Sequence, residues 1–169
     1  MFRIIPRLGL TLLLLSPLLA VAATYSNGSS GANFDVSIKI VANCSIAASP
    51  LDFGQSQGVL SSGVSANSTI SVTCSNSTPY NVGLNAGTGV GSSGTTRTMS
   101  GTGANTATVA FNLFQTLGAT QWGDTQGTNT LGGTGTGSAQ TLTVYGQVPA
   151  QATPAPDTYK STITATVYF

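Results

Sequence analysis

Apolar and polar residues alternate strictly from 34 to 40. Phe34, Val36, Ile38 and Ile40 fall on one face, and Asp35, Ser37 and Lys39 on the other. A period of two with one apolar face predicts a half-buried β-strand. A weaker strand signal follows from Cys44 through Ile46, then Leu51-Asp52-Phe53-Gly54, and residues 55–63 read as loop. The alternation returns at 64–74, where Val64, Ala66, Ile70, Val72 and Cys74 share a face, so Cys74 is expected to point inward. Residues 76–79 read as a turn, and Tyr80, Val82 and Leu84 as the next strand.

Beyond this the pattern weakens and recovers. Residues 85–108 are rich in Gly, Ser, Thr and Asn and predict long loops or ragged edge strands. Val109, Phe111 and Leu113 make a clear strand, 118–138 are again loop-rich, and Leu142, Val144 and Val148 form a strand that stops at Pro149. Tyr159, Ile163, Ala165, Val167 and Phe169 share the last apolar face. Helical periodicity is sustained nowhere. About seven short strands separated by turn residues imply an all-β domain, an immunoglobulin-like β-sandwich.

The first segment sets the compartment. Arg3 and Arg7 precede an apolar run at 8–19, which ends in Ala20-Val21-Ala22. This is the layout of a secretory signal peptide at 1–22, and the run is shorter than the roughly 20 residues that span a bilayer. No second run of that length occurs, so no membrane span is expected in the mature chain. Residues 24–33 are Ser-, Gly- and Asn-rich and read as a flexible leader. Cys44 and Cys74 both lie in the exported part. An oxidising compartment makes a disulfide between them the default, worth about 3–4 kcal/mol for a loop of this size.

Charge removes several function classes. After residue 22, three basic residues (Lys39, Arg97, Lys160) face four acidic ones (Asp35, Asp52, Asp124, Asp157). There is no basic patch for phosphates, so nucleic-acid binding has no electrostatic basis. Histidine and glutamate are absent, which removes the commonest general bases and nearly all zinc sites. The four aspartates are widely spaced and are expected to be solvated. No enzyme activity, metal or cofactor is expected. The run Gly89-Val90-Gly91-Ser92-Ser93-Gly94 matches a dinucleotide fingerprint by letter, but no helical pattern follows it. Trp122 has two readings: it stacks on a sugar ring from the 121–130 loop, or it packs beneath that loop.

The patterned strand at 34–40 also has two readings. It pairs within its own domain, or it is donated to the open sheet edge of a neighbour, its alternate side chains filling a groove.

The motifs in order, FDVSIKIVANC at 34–44, Leu-x-Phe-Gly at 51–54, ISVTCSNSTPY at 70–80 and the Pro-x-x-Tyr-x-x-Thr-x-Thr-x-Thr-x-Tyr-Phe ending at 156–169, resemble the spore-coat-protein-U-like family. That family includes subunits of archaic chaperone–usher pili. The resemblance implies a sandwich lacking its final strand. A periplasmic chaperone fills the gap in transit, and at the outer-membrane usher the N-terminal segment of the next subunit replaces it. It implies that Phe34, Val36, Ile38 and Ile40 are donor-strand residues, that Ile163, Ala165, Val167 and Phe169 lie on the strand flanking the acceptor groove, and that Cys44 and Cys74 form the family's disulfide. The organisation expected is then signal peptide 1–22, leader and donor strand 23–43, and pilin-like sandwich 44–169. The length suits a shaft subunit of a fimbrium that supports adhesion and biofilm formation, in head-to-tail contact with neighbouring pilins. The alternatives are a secreted carbohydrate-binding module and a coat protein completed by its own first strand.

Overall fold

The computed structural model describes residues 28–56 and 60–169; the signal peptide expected at 1–22 lies outside the described residues. Among the described residues of Lys39–Phe169, one compact unit, nine strands form: β1 (Cys44–Ala48), β2 (Val64–Cys74), β3 (Pro79–Leu84), β4 (Arg97–Gly101), β5 (Thr108–Phe114), β6 (Leu131–Thr134), β7 (Ala139–Val148), β8 (Tyr159–Lys160) and β9 (Ala165–Tyr168). They make two antiparallel sheets, one ordered β1-β2-β7-β5-β4-β8 and the other β6-β3-β9. No helix occurs among the described residues, and therefore none long and apolar enough to cross a membrane.

The two-residue period places the core between the sheets. Along β2 the residues Ile70, Val72 and Cys74 are buried and their neighbours lie outside. Along β7, Val144 and Val148 do the same, and the strand ends before Pro149, which has no N–H for a ladder bond. Tyr80, Val82 and Leu84 supply the facing layer from β3, and Val109, Phe111 and Leu113 complete the floor from β5. Alternation of this kind is what one buried sheet face demands. Gly146 belongs to the same face: a Cβ there would press on Leu51 and Phe53, which cross above it.

Within the sandwich three expectations change. Leu51 and Phe53 form no strand but pack on the core, Phe53 edge-on to Phe111 at 6.4 Å. The loop-rich stretches at 85–108 and 118–138 contain the short strands β4 and β6. Their Gly and Thr content carries too little apolar alternation to show a strand. The final patterned segment is split, since residues 161–164 between β8 and β9 are not in a strand.

In the other unit, Met1–Ile38, the described residues 28–38 form no strand. The strand predicted at 34–40 is thus not formed in the single chain. A strand exists only where an edge pairs with it, and a period of two specifies a face, not a partner. Phe34, Val36, Ile38 and Ile40 are each more than 80% exposed, at 84%, 85%, 87% and 82%.

Candidate functional site

The sandwich is open along one side. A cleft of about 500 Å³ enters between the two sheets, with Ile70, Val144, Phe111 and Leu84 on its floor and walls. One lip is Ala48 and the chain leading to Leu51; the other is Ile163 and Ala165. The lining is mainly apolar, which is unusual for a wall of a closed domain and typical of a place where something apolar docks.

Both lips are free strand edges. Among the described residues β1 pairs only with β2, and β9 only with β3. On the β1 side, Ser49 N donates to Thr69 O and Ser75 N donates to Asn43 O, each at 2.9 Å. Antiparallel pairs alternate between bonded and non-bonded, so the odd residues from 43 to 49 face β2. Cys44, Ile46 and Ala48 therefore turn their N–H and C=O groups to the open side. On the β9 side, Asn85 N donates to Thr164 O at 3.1 Å. By the same alternation Thr164, Thr166 and Tyr168 face β3, and Ile163, Ala165 and Val167 present free main-chain groups. An apolar cleft flanked by two unpaired edges has the form of a missing strand.

Polar side chains fix the β1 lip. The Cys44–Cys74 disulfide is formed, and the two residues sit directly opposite each other in the β1–β2 register. Ser68 is buried in the inward phase of β2, where its hydroxyl reaches Ser49 O at 2.7 Å and Pro50 O at 2.9 Å. These bonds hold the chain as it leaves β1. The polar residue within an otherwise apolar face was the visible signal for this role, and the periodicity passes over it.

The other expected residues are distributed as follows. Ile163 and Ala165 line the cleft. Val167 packs on the core, and Phe169, past the end of β9, is 60% exposed and lines a separate depression with Pro79 and Gln126. Trp122 is fully buried, and its indole N–H donates to Val82 O at 2.8 Å, so it has no face free for a sugar. All four aspartates are exposed, and Asp157 accepts the N–H groups of Gly103 and Thr158. No group of three or more His, Cys, Asp or Glu that could hold a metal occurs among the described residues. The glycine-rich run at 89–94 leads into a tight hairpin between Ser93 and Thr96 and then β4, with no helix behind it.

Arg97 is a residue that the pattern gives no reason to place inside. It is 1% exposed at the start of β4. Burial pushes its pKa down to about 10, partly offset by the nearby Asp124 carboxylate, so it remains a cation at neutral pH. Its Nη2 donates to Leu84 O at 2.8 Å and Trp122 O at 2.6 Å, and its Nε to Asn85 O at 3.0 Å. One guanidinium thus joins the end of β3 to the loop that carries Trp122.

No curated protein matches the chain in sequence. Among solved structures, a chain of the CsuC–CsuE chaperone–tip adhesion subunit pre-assembly complex, from archaic chaperone–usher Csu pili of Acinetobacter baumannii, has a TM-score of 0.55 at 23% identity. The match covers 77% of this chain and 40% of that one, and it shows a shared immunoglobulin-like sandwich fold. The E. coli Hda pilus minor tip subunit, HdaB, is 16% identical with a TM-score of 0.39, covering 74% of this chain and 79% of its own. The Spore Coat Protein U domain family matches residues 30–166, nearly the whole described sandwich and the segment before it. The chain belongs to the Spore Coat Protein U domain family.

Proposed function

We propose that this protein is a structural subunit of a bacterial surface pilus, assembled by donor-strand exchange through a chaperone–usher pathway. The observation that carries the reading is the apolar cleft between the unpaired edges of β1 and β9. The chain itself supplies a segment of matching character: Phe34, Val36, Ile38 and Ile40 alternate along one face outside any strand. Insertion of that segment from the next subunit buries an apolar row and pairs main-chain groups on both lips at once. Head-to-tail donation does not close a ring, so it propagates as a filament. Membership of the family and the fold shared with a chain from a chaperone–tip subunit complex support the same reading.

The family's chaperone–usher members suggest the partners. A periplasmic chaperone covers it before assembly, an outer-membrane usher is where the exchange takes place, and neighbouring subunits fill it in the fibre. The chain passes through the periplasm after removal of residues 1–22 and ends in a cell-surface fimbrium that supports adhesion and biofilm formation. Its role is mechanical, with no catalytic step and no cofactor.

Mixing the exported chain with a synthetic peptide of residues 33–42 tests this. Native mass spectrometry should detect one peptide per subunit, at a rate that rises with peptide concentration. A chain that takes up no peptide and stays a stable monomer is a self-completed or unrelated sandwich, and the pilus reading fails.

A further inference from the structure

The lip formed by residues 161–164 is held by side chains, not by a neighbouring strand, and Asn85 is at the centre of that arrangement. The β3–β9 ladder runs from Asn81↔Tyr168 to Leu84↔Ala165. At the next pair, Asn85 N still donates to Thr164 O. The return bond is absent: the Thr164 N–H goes elsewhere, and the Asn85 carbonyl accepts from Arg97 Nε at 3.0 Å. The Asn85 side chain substitutes for it: Oδ1 accepts the Thr164 N–H at 2.9 Å and the Gly87 N–H at 3.1 Å. Thr88 Oγ1 then accepts the Thr162 N–H at 2.9 Å, and Gly89 N donates to Ser161 Oγ at 3.2 Å. Gly87 allows this close approach. It has a φ of +85°, and a Cβ there would collide with Ser161 and Ile163.

We infer that Asn85 is a positioning residue for strand acceptance, its side-chain oxygen standing in for a ladder bond whose absence would otherwise end the acceptor edge at Ala165. With that bond in place, Ile163 stays in register with Ala165 and Val167. Its free main-chain groups extend the edge, and its side chain stays on the cleft wall. The buried Arg97 anchors Asn85 to the core through the Asn85 carbonyl. Without the Asn85 acceptor, the Thr164 N–H is left to seek water, and the lip peels away from the cleft.

This role rests on the donor-strand reading, and the experiment separates the two. Wild type, Asn85→Leu, Asn85→Asp and Thr88→Val are compared as the full exported chain. Uptake of the residue 33–42 peptide is followed by native mass spectrometry, and amide exchange is followed at 161–164. Asn85→Asp keeps an acceptor of the same reach, and Asn85 Nδ2 makes no hydrogen bond among the described residues, so it should behave as wild type. Asn85→Leu should slow uptake about tenfold and speed exchange at 162 and 164, the scale expected for one lost hydrogen bond at about 1.4 kcal/mol. Thr88 is exposed, so Thr88→Val should fold even if Asn85→Leu does not, and should speed exchange at Thr162 with a smaller loss of uptake. Uptake at the wild-type rate by both Asn85→Leu and Thr88→Val overturns the positioning role alone, as does failure of Asn85→Asp to rescue a slow Asn85→Leu. A wild type that takes up no peptide overturns the donor-strand reading and this role with it.

Discussion

Ile38→Asp is expected to abolish fibre formation while leaving the subunit able to bind its chaperone. Ile38 is the third of four apolar residues that share one face of the proposed donor segment. Seating it in the cleft buries an isoleucine, worth about 1.5–3 kcal/mol. An aspartate in its place brings a carboxylate against Ile70, Val144 and Phe111, with no cation among the cleft residues. An unpaired polar group adds a penalty of about 1–3 kcal/mol at least, and more when charged. The two together, about 2.5–6 kcal/mol, amount to about 70-fold to more than 10,000-fold in the stability of each joint, and a fibre needs every joint. The variant subunit's own cleft is unaltered, so a chaperone that covers it still binds. Electron microscopy of cells producing the variant should show no fibres, and co-purification should still recover the chaperone. Asp35→Ser, on the opposite face of the same segment, should assemble normally. Wild-type fibres from Ile38→Asp would mean that residues 34–40 do not make the joint.

The second large effect is at Trp122. Trp122→Ala should lower the unfolding free energy by about 3–5 kcal/mol, the range for removing a large buried aromatic side chain. Trp122→Phe keeps most of the packing but leaves the Val82 carbonyl without its 2.8 Å donor, and should cost about 1–3 kcal/mol. Urea unfolding of the three proteins measures both. The same residue separates a fibre subunit from a sugar-binding module: with the indole fully buried, a glycan array probed with the wild-type chain should give no specific hit. A glycan hit that Trp122→Ala removes without loss of stability would restore the sugar-binding reading.

Much of the sandwich is legible from alternation alone. β2 begins and ends where the pattern at 64–74 does, and the inward residues of β3, β5 and β7 are those the period of two selects. Such strands bury one face, so sequence and packing carry the same information. β4 and β6 are different. Arg97–Gly101 and Leu131–Thr134 have few apolar residues, and their pairing rests on the neighbouring strands β5 and β3. Nothing local announces that. The end of the chain misleads in the opposite sense: one apolar face runs from Tyr159 to Phe169, yet 161–164 is held in line by Asn85 and Thr88 and not by a ladder.

The candidate cleft was legible in part for the same reason, since Ile163 and Ala165 line it. Apolar alternation points to 34–40 and to Ile163 and Ala165, but it names no partner for either. The polar residues that shape the cleft, Ser68, Asn85 and Arg97, act through main-chain carbonyls and amides distant in sequence. Bonds of that kind leave no period and no motif. The burial of Arg97 in particular becomes intelligible only once Leu84, Asn85 and Trp122 are seen to converge on it.

The structure of an assembled fibre, determined by electron cryo-microscopy, tests the central claim most directly. Residues 34–40 of each subunit should lie as a strand between β1 and β9 of its neighbour, bonded to both lips, with alternate side chains inside the cleft. A fibre in which each subunit's cleft holds its own 34–40 segment, or stands unfilled, would contradict the account.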